Sequence, residues 1–445
     1  MYGEAKYPEP TETRPDIFCD PDHPRSLTFD RIATAAHAIK EILKFKYLQG
    51  GILRSDCRRS FLLSRMTGMD IHLKMELNQV TGSFKERGGR FALHNLTADQ
   101  RKSGVFAASA GNHALALCYH GKQLGIPVTV CMPRHAPIMK VDKCGSFGAE
   151  VIVQGKDLSA ARALALELSH QRGGVYINGY DHIDVLAGAG TMGMEILDQV
   201  SNLDALVVPV GGGGLIAGIA VAVKALCPNL ELIGVESKAN ASMHNALKHG
   251  KPTLTELQPS LADGLAVALV GHNSFHNAKD RIDRMVLVDE SDISVAVLRL
   301  IELEKVVAEG AGAIGVAALL SGKLDHLKGK RVATILSGGN IDSTALNRCI
   351  ERGMAHDRRL VRFNVVVSDR PGAFAELAKL ISEDGASIKD MILDRPYQRT
   401  DIFSVRANII AETRGYEHAE ELRKTLVERY GENDCRFRHM PYEKK

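Results

Sequence analysis

The sequence predicts an α/β protein with two lobes of parallel sheet flanked by helices, followed by a small ferredoxin-like unit. From about residue 28 to 345, short β-branched runs alternate with helical segments, as expected when crossover helices join parallel strands. A stretch of about 320 residues exceeds what one core usually holds, so two lobes with a cleft between them are expected. After residue 359, the order βαββαβ in about 80 residues is typical of a ferredoxin-like unit.

The predicted organisation has three parts: an N-terminal extension (1–27), a catalytic domain (28–350) and a C-terminal domain (359–440). The extension is rich in Pro and Asp and is expected to be loosely ordered. In the catalytic domain, hydrophobic periodicity predicts helices over Thr28–Tyr47, His113–Leu124 and Ala160–His170, and strands over Asp70–Met75, Val105–Ser109, Val128–Met132, Ala149–Val153, Gly174–Ile177, Ala205–Val210, Leu232–Glu236 and Val332–Leu336. In the C-terminal domain it predicts strands over Leu360–Val367, Ser387–Leu393, Asp401–Ile409 and Cys435–Met440, and helices over Ala373–Asp384 and Tyr416–Tyr430. The charge-rich segment Glu351–Arg359 is interpreted as the linker.

Composition excludes several classes of protein. A net charge of +3 in 445 residues, without a dense Lys/Arg stripe, argues against a nucleic-acid partner. No apolar run approaches the roughly 20 residues that cross a bilayer, so no membrane partner is expected. The eight cysteines show no CxxC pair or metal-ligand spacing. We therefore expect reduced, mostly buried thiols and a cytoplasmic location, and the N-terminus lacks the pattern of a signal or transit peptide.

Lys85 is the first residue that points to chemistry. It follows the predicted buried strand, and the turn before it holds Thr81 and Ser83. These hydroxyls are expected to cap a helix that begins near Lys85, because they can accept backbone N–H groups of its first turn. The positive end of the helix dipole would favour the neutral amine, which can form a Schiff base with an aldehyde cofactor. A solvated lysine on a capped helix is the alternative.

Three further loops each follow a predicted strand. Gly211–Gly214 and Leu215 would expose consecutive N–H groups at a helix N-terminus, which predicts a phosphate site. The spacing matches neither GxGxxG nor GxxxxGK[ST] and so indicates neither a dinucleotide nor a nucleoside triphosphate. The loop Ser109–His113 offers donors for a ring oxygen and a carboxylate, although a plain capped turn would look the same. Ser337 is neutral and could hydrogen-bond a pyridine nitrogen without fully protonating it.

Together with Lys85, these loops strongly resemble those of the pyridoxal-phosphate enzymes of the tryptophan-synthase β-subunit fold, known as fold type II. Within that group the sequence is similar to the serine/threonine dehydratases and their relative serine racemase, over residues from about 28 to 345. The resemblance implies pyridoxal 5'-phosphate as cofactor and Lys85 as its Schiff-base lysine. It further implies that Phe84 lies beside the ring, Asn112 at the ring hydroxyl, Gly211, Gly212, Gly213, Gly214 and Leu215 at the phosphate, Ser337 at the ring nitrogen, and Ser109, Ala110, Gly111, Asn112 and His113 at the substrate carboxylate.

A metal site is the open question of this resemblance. Glu236 matches the family's cation-site carboxylate, whereas Ser242 stands where the racemase has an aspartate. Either a monovalent or divalent cation binds at Glu236, or this carboxylate only accepts backbone N–H groups. Two departures from the family pattern also bear on substrate choice or activity. Gly50-Gly51-Ile52 replaces the usual Thr-Pro, and Ala189 replaces a common glutamine.

The resemblance implies an L-threonine and L-serine ammonia-lyase, with roles in amino-acid catabolism or isoleucine biosynthesis. Racemisation needs a second acid/base, which a serine supplies in serine racemase, and Ala110 at the matching position cannot donate a proton. A racemase, a β-replacement synthase and a non-catalytic amino-acid sensor remain the alternatives. The C-terminal domain, with its turn Asp369-Arg370-Pro371-Gly372, resembles an ACT domain, which implies an amino-acid effector and a homodimer or homotetramer.

Overall fold

The computed structural model describes residues 7, 8, 10, 14–43, 51–395 and 402–438. The chain divides into two compact units. The first comprises Met1–Ala296 and Leu300–Asp342, and the second comprises Val297–Arg299 and Ser343–Lys445. Among the described residues, no helix has both the length and the apolar character needed to cross a bilayer.

The elements of residues 29–335 alternate between strands and helices, as predicted. The strands are β1 (Cys57–Arg59), β2 (Asp70–Lys74), β3 (Val105–Ala108), β4 (Val128–Met132), β5 (Glu150–Val153), β6 (Val175–Tyr176), β7 (Ala205–Pro209), β8 (Glu231–Ser237), β9 (Arg284–Val288) and β10 (Arg331–Ile335). The helices are α1 (Phe29–Leu43), α2 (Phe61–Thr67), α3 (Lys85–His94), α4 (Ala98–Ser103), α5 (Asn112–Leu124), α6 (Ile138–Ser146), α7 (Leu158–Gln171), α8 (Ile183–Gln199), α9 (Gly214–Leu226), α10 (Ser242–His249), α11 (His272–Ala278), α12 (Glu290–Arg299) and α13 (Gly310–Leu320).

Two sheets organise the first unit. The larger sheet has the order β1-β2-β10-β7-β8-β9, in which β1 alone pairs antiparallel with its neighbour. The smaller sheet, β5-β4-β3-β6, is parallel throughout. Every residue of β4 and β7 is buried, because helices cover both faces of a parallel sheet. This confirms the predicted α/β fold with two sheets flanked by helices.

The second unit is an antiparallel sheet with helices on one face. Its elements are α14 (Ser343–His356), β11 (Leu360–Ser368), α15 (Ala373–Glu383), β12 (Ser387–Asp394), β13 (Ser404–Glu412), α16 (Tyr416–Tyr430) and β14 (Cys435–Arg438). The sheet order is β12-β13-β11-β14. Alternate residues of β11 and β13 are buried beneath α15 and α16, since side chains on a strand point alternately to its two faces. The predicted ferredoxin-like βαββαβ order is confirmed.

Several predicted bounds differ from the observed ones. The third strand of the second unit starts at Ser404, three residues later than predicted, and Asp401 lies outside the described residues. The interpreted linker Glu351–Arg359 is helical as far as His356, because α14 continues through it. The predicted ends of the first helix, at Tyr47, and of the last strand, at Met440, also lie outside the described residues.

Candidate active site

Three neighbouring strands of the larger sheet bring the predicted site loops together. Strands β2, β10 and β7 are adjacent and parallel, so the loops that follow them leave the same edge of the sheet. The loop after β2 leads to Lys85, the loop after β10 holds Ser337, and the loop after β7 is Gly211–Gly213. The first two are joined directly, because the Phe84 N–H donates to the Ser337 carbonyl at 3.0 Å.

Lys85 is the first residue of α3, and its side chain is partly buried. Its Nζ donates to the Gly179 carbonyl at 2.5 Å and lies 5.3 Å from the centre of the Phe84 ring. Burial lowers the pKa of Lys85 to about 8, although the nearby Glu309 carboxylate opposes this shift. A sizeable fraction of the amine is therefore neutral near physiological pH. The lowered pKa results mainly from the loss of hydration around the amine.

The predicted capping of α3 by Thr81 and Ser83 is wrong. The N-cap is Phe84, and no side chain bonds to the first turn. Both hydroxyls are buried without a hydrogen-bond partner among the described residues. Ser83 instead forms an isolated β-bridge with Gly338, and this pairing fixes the loop so that its hydroxyl does not reach the helix. The hydrogen bond that forms is the reverse of the predicted one: the helix side chain Glu86 accepts the backbone N–H of Thr81.

Glu86 also makes a buried contact that sequence reasoning missed. Its second oxygen lies 3.0 Å from Nε2 of His120, and neither side chain is exposed to solvent. Burial lowers the pKa of His120. Glu86 follows Lys85 directly, whereas His120 lies on α5, so the pair ties the lysine helix to the helix that begins at Asn112.

A buried ion network lies next to Lys85 along α3. The Arg87 guanidinium donates to Glu76 at 2.7 and 2.8 Å and to Glu195 at 2.7 and 2.8 Å. Lys74 donates to the same Glu195 carboxylate at 2.7 Å. Glu76 thus accepts two bonds from one guanidinium, and Glu195 accepts from the same guanidinium and from the Lys74 ammonium. Paired charges of this kind are tolerated inside a protein because each carboxylate keeps charged donors. The network fixes α3 against β2 and α8.

The glycine loop is packed tightly from behind. A Cβ on Gly212 would lie 2.3 Å from the Tyr180 ring, and one on Gly214 would lie 2.5 Å from the Tyr180 carbonyl. Gly213 has a φ of 92°, a left-handed conformation that favours glycine. Helix α9 begins at Gly214, so the N–H groups of Gly214 and Leu215 belong to a first turn that has no intrahelical acceptors. The loop therefore presents backbone donors at a helix N-terminus.

The side-chain amide of Asn112 is hydrogen-bonded at both its nitrogen and its oxygen. Its Nδ2 donates to Oε1 of Glu309 at 2.7 Å, and its Oδ1 accepts from Nδ2 of Asn340 at 2.9 Å. The second N–H of Asn340 donates to the Thr81 carbonyl at 2.7 Å. This chain runs from the turn before Lys85 to Glu309 and orients the Asn112 amide. It also leaves one N–H of Asn112 for a further acceptor.

Glu309 is a site residue whose role the sequence left open. Burial raises the pKa of its carboxyl to about 7, and the Asp263 carboxylate adds to the shift. In the sequence, Glu309 stands out only through the small residues Gly310-Ala311-Gly312 that follow it, and close packing alone would also explain such a run. Packing is indeed close: a Cβ on Gly310 would lie 2.2 Å from the Leu261 carbonyl. The structure adds the carboxylate that Asn112 contacts.

The other predicted site residues lie in the same unit. Nε2 of His113 donates to the Ile177 carbonyl at 2.9 Å, and burial together with the Lys85 charge lowers the pKa of His113 to about 3. Its Nδ1 is buried without a partner among the described residues. Ser109 accepts the Gly111 N–H at 3.2 Å, and Ala110 is partly buried between them. The Ser337 hydroxyl makes one long contact, 3.4 Å, to the Ala311 carbonyl.

Glu236 accepts backbone N–H groups in this structure. Its two oxygens bond the Met243 and His244 amides at 2.7 and 2.9 Å, and the Ser242 hydroxyl lies 3.5 Å away. Burial raises the pKa of Glu236 to about 7. No group of three or more His, Cys, Asp or Glu side chains suited to a metal occurs in the described part of the chain. Of the two family departures, Ile52 and Ala189 are buried, and Gly50 lies outside the described residues.

Comparison with known proteins identifies the family. Residues 48–338 match the family described as pyridoxal-phosphate dependent enzyme. The chain is 40% identical over 401 residues to an L-threonine ammonia-lyase of Thermotoga maritima, which covers 90% of this chain and 97% of the relative.

The chain belongs to the pyridoxal-phosphate-dependent enzyme family.

Solved structures also superpose on this chain. A threonine deaminase from Solanum lycopersicum aligns with a TM-score of 0.68 at 31% identity, over 77% of this chain and 99% of the other. A serine racemase from Dictyostelium discoideum aligns with a TM-score of 0.66, also at 31% identity, over 72% of this chain and all of the other. Both similarities support fold type II for the first unit, as predicted.

The residues present fit the cofactor of this family. Pyridoxal phosphate carries an aldehyde, a phosphate, a ring hydroxyl and a ring nitrogen, and each needs a different partner. The sheet edge offers a partly neutral lysine, first-turn amides at the glycine loop, a free N–H on Asn112 and the little-engaged hydroxyl of Ser337. The buried hydroxyls of Thr81 and Ser83, which bond to none of the described residues, supply further polar groups near the lysine turn.

Proposed function

We propose that this enzyme is an L-threonine ammonia-lyase that also accepts L-serine. It would release 2-oxobutanoate from L-threonine, or pyruvate from L-serine, together with ammonia. The observation that carries the proposal is Lys85, a desolvated amine with a pKa of about 8 at the edge shared by the three loops. The near full-length similarity to an L-threonine ammonia-lyase supports the choice of substrate.

Each chemical group of the cofactor has a proposed partner in this chain. Pyridoxal phosphate supplies an aldehyde for the substrate amine and an electron-withdrawing ring. We assign its aldehyde to Lys85, its phosphate to Gly211, Gly212, Gly213, Gly214 and Leu215, its ring hydroxyl to Asn112, its ring nitrogen to Ser337, and one ring face to Phe84. The glutamate–asparagine chain at Asn112 orients the amide before any ligand arrives, which reduces the cost of ordering on binding.

Lys85 is the proposed acid/base. The neutral Nζ would take the Cα proton of a bound substrate, because burial has already lowered its pKa towards the working pH. The Gly179 carbonyl, 2.5 Å from Nζ, holds the amine in one position. The loop Ser109–His113 is assigned to the substrate carboxylate, with the amides at the start of α5 as donors.

Ala110 favours elimination over racemisation. A racemase needs an acid/base on the face opposite Lys85, and the methyl group of Ala110 cannot donate a proton. The neutral Ser337 hydroxyl, if it held the ring nitrogen, would do so without fully protonating it, which would favour loss of the β-hydroxyl. The racemase and β-replacement alternatives therefore rank second.

We further propose that the C-terminal unit, 359–440, is a sensor domain of the ACT type that binds an amino-acid effector. Its βαββαβ order and its turn Asp369–Gly372 support this role. Such domains act in pairs, so a homodimer or homotetramer follows. The eight free cysteines support a reducing, cytoplasmic location. Light scattering that gave a 48.4 kDa monomer would contradict the proposed assembly.

Product analysis tests the proposed reaction. The purified enzyme is supplied with L-threonine or L-serine, and 2-oxo acid, ammonia and D-amino acid are measured in parallel. The proposal predicts equal amounts of 2-oxo acid and ammonia and no D-amino acid. D-serine as the main product would support the racemase, and turnover only with an added thiol or other nucleophile would support the β-replacement synthase.

A further inference from the structure

The second unit contains a cavity that the proposed function does not use. It has a volume of about 450 Å³, within the range of small-molecule sites. Helix α14 contacts β11, and the cavity is lined by residues of both elements together with residues of β13, β14 and α16. Its charged lining residues are Glu351, Glu420, Arg352, Arg358, Arg362 and Arg438, and most of the others are apolar.

The charges on these walls do not balance. Four arginines face two glutamates across the cavity. Arg358 is paired with Glu420 at 2.9 Å, while Glu351 is paired at 2.9 Å with Lys389, which lies outside the cavity. Arg352, Arg362 and Arg438 form no ion pair with any residue that the structure describes. Three guanidinium groups therefore line the cavity, and its two carboxylates are paired with Arg358 and Lys389 instead.

Two of these arginines are direct cross-strand neighbours. The antiparallel register of β11 and β14 places Arg362 opposite Arg438. Like charges in this position destabilise a sheet, because the side chains emerge on the same face a few ångströms apart. On the other side of Arg362 the register brings Ile410, an apolar residue. Within the described sheet, the two residues directly opposite Arg362 are thus an arginine and an isoleucine, neither of which carries a negative charge.

The fourth arginine of the cavity, Arg358, is held in a strained backbone conformation. Arg358 has a φ of 55°, the left-handed region that non-glycine residues rarely adopt. Its guanidinium is fixed by Glu420 and by the Tyr416 ring, whose centre lies 4.4 Å away. Strain of this kind persists where the surroundings hold a side chain in a required position, and it is enriched at ligand sites.

We propose that this cavity binds a small organic anion with a doubly charged, phosphate-type head group and an apolar body. Arg362, Arg438 and Arg352 would bind the head group, because guanidinium groups match the geometry of phosphate oxygens in pairs. Leu360, Ile410 and Phe437 form the apolar part of the wall. Binding replaces the Arg362–Arg438 repulsion with attraction to a shared anion.

Calorimetric titration of the full-length holoenzyme with phenyl phosphate tests the proposal. Loading with cofactor first keeps the probe from the glycine loop. The variants are Arg362→Gln and Arg438→Gln, and the matched control is Arg436→Gln, an exposed arginine on the same strand that does not line the cavity. Two comparison probes each lack one feature. Inorganic phosphate lacks the apolar body, and phenylacetate lacks the second charge.

The proposal predicts saturable binding of one phenyl phosphate per chain. Affinity should fall about ten-fold or more in each cavity variant, the usual effect of losing a charge-assisted hydrogen bond, and change less than about two-fold in the control. Inorganic phosphate and phenylacetate should each bind more weakly than phenyl phosphate. Absence of saturable binding, or an equal loss in Arg436→Gln, would overturn it. Because cofactor loading and turnover are measured separately, this outcome is independent of the proposed reaction.

Discussion

Replacing Asn340 with aspartate tests how the site holds Asn112. The Asn340 amide donates to the Thr81 carbonyl at 2.7 Å and to Oδ1 of Asn112 at 2.9 Å. Asn340→Asp has nearly the same shape but presents an acceptor to two acceptors. Both hydrogen bonds are lost, and the Asn112 amide is no longer held in one orientation.

The cost can be worked from these two contacts. A neutral hydrogen bond contributes about 1 kcal/mol net, and an acceptor left unsatisfied inside the protein costs about 1–3 kcal/mol. Asn340→Asp leaves two acceptors, on Thr81 and Asn112, without their donor, so the total is about 2–6 kcal/mol. If half of this acts on the cofactor-bound state, the dissociation constant of pyridoxal phosphate rises about five-fold or more.

Titration of the apo-enzyme with pyridoxal phosphate measures this effect. The absorbance band of the lysine-bound cofactor gives the dissociation constant, and the wavelength of the band reports the surroundings of the ring. The matched control is Asn229→Asp, the same chemical change at an exposed position. A dissociation constant within two-fold of the wild type in Asn340→Asp would refute the reasoning about the Asn112 amide.

Three further predictions follow from the site. Because the folded-state pKa of Lys85 is lowered to about 8, the amine loses its proton as pH rises through 8. The rate of cofactor uptake by apo-enzyme, measured by stopped flow, should therefore increase from pH 7 to 9 and then level off. A flat profile would contradict this. Arg87→Met leaves the buried Glu76 without its ion pair and should lower the free energy of unfolding in urea by about 3–5 kcal/mol. The control is Arg172→Met, which removes a surface ion pair and should lower it by less than about 1 kcal/mol. Gly212→Ala places a Cβ 2.3 Å from the Tyr180 ring, so its cofactor dissociation constant should rise about ten-fold or more by fluorescence titration, whereas Gly145→Ala, with open space around it, should behave as wild type.

Much of the site could be predicted because its parts are local in sequence. The lysine turn, the glycine loop and the Ser337 loop each follow an apolar strand, and strand-to-helix loops in a parallel sheet meet at one edge. The start of α5 was predicted within one residue for the same reason. In the second unit, alternation and turn residues were enough to give the order of elements.

The remaining features depend on contacts that no local pattern contains. Asn112 and Glu309 lie 197 positions apart in the chain, so their hydrogen bond appears only once the fold brings them together. The capping of α3 was wrong because a distant strand loop pairs with Ser83 and redirects its hydroxyl. The pKa of Lys85 likewise follows from burial by tertiary structure, since desolvation is its largest cause.

The most direct test of the account is the release of 2-oxobutanoate and ammonia from L-threonine by wild-type enzyme and by Lys85→Ala. The wild type is predicted to release both products in equal amounts, and the rate of Lys85→Ala to fall about a thousand-fold or more. Lys102→Ala, an exposed lysine, is the control and should keep the wild-type rate. A wild-type rate in Lys85→Ala, or no 2-oxobutanoate from cofactor-loaded wild type, would contradict the assignment of Lys85 as the acid/base of an ammonia-lyase.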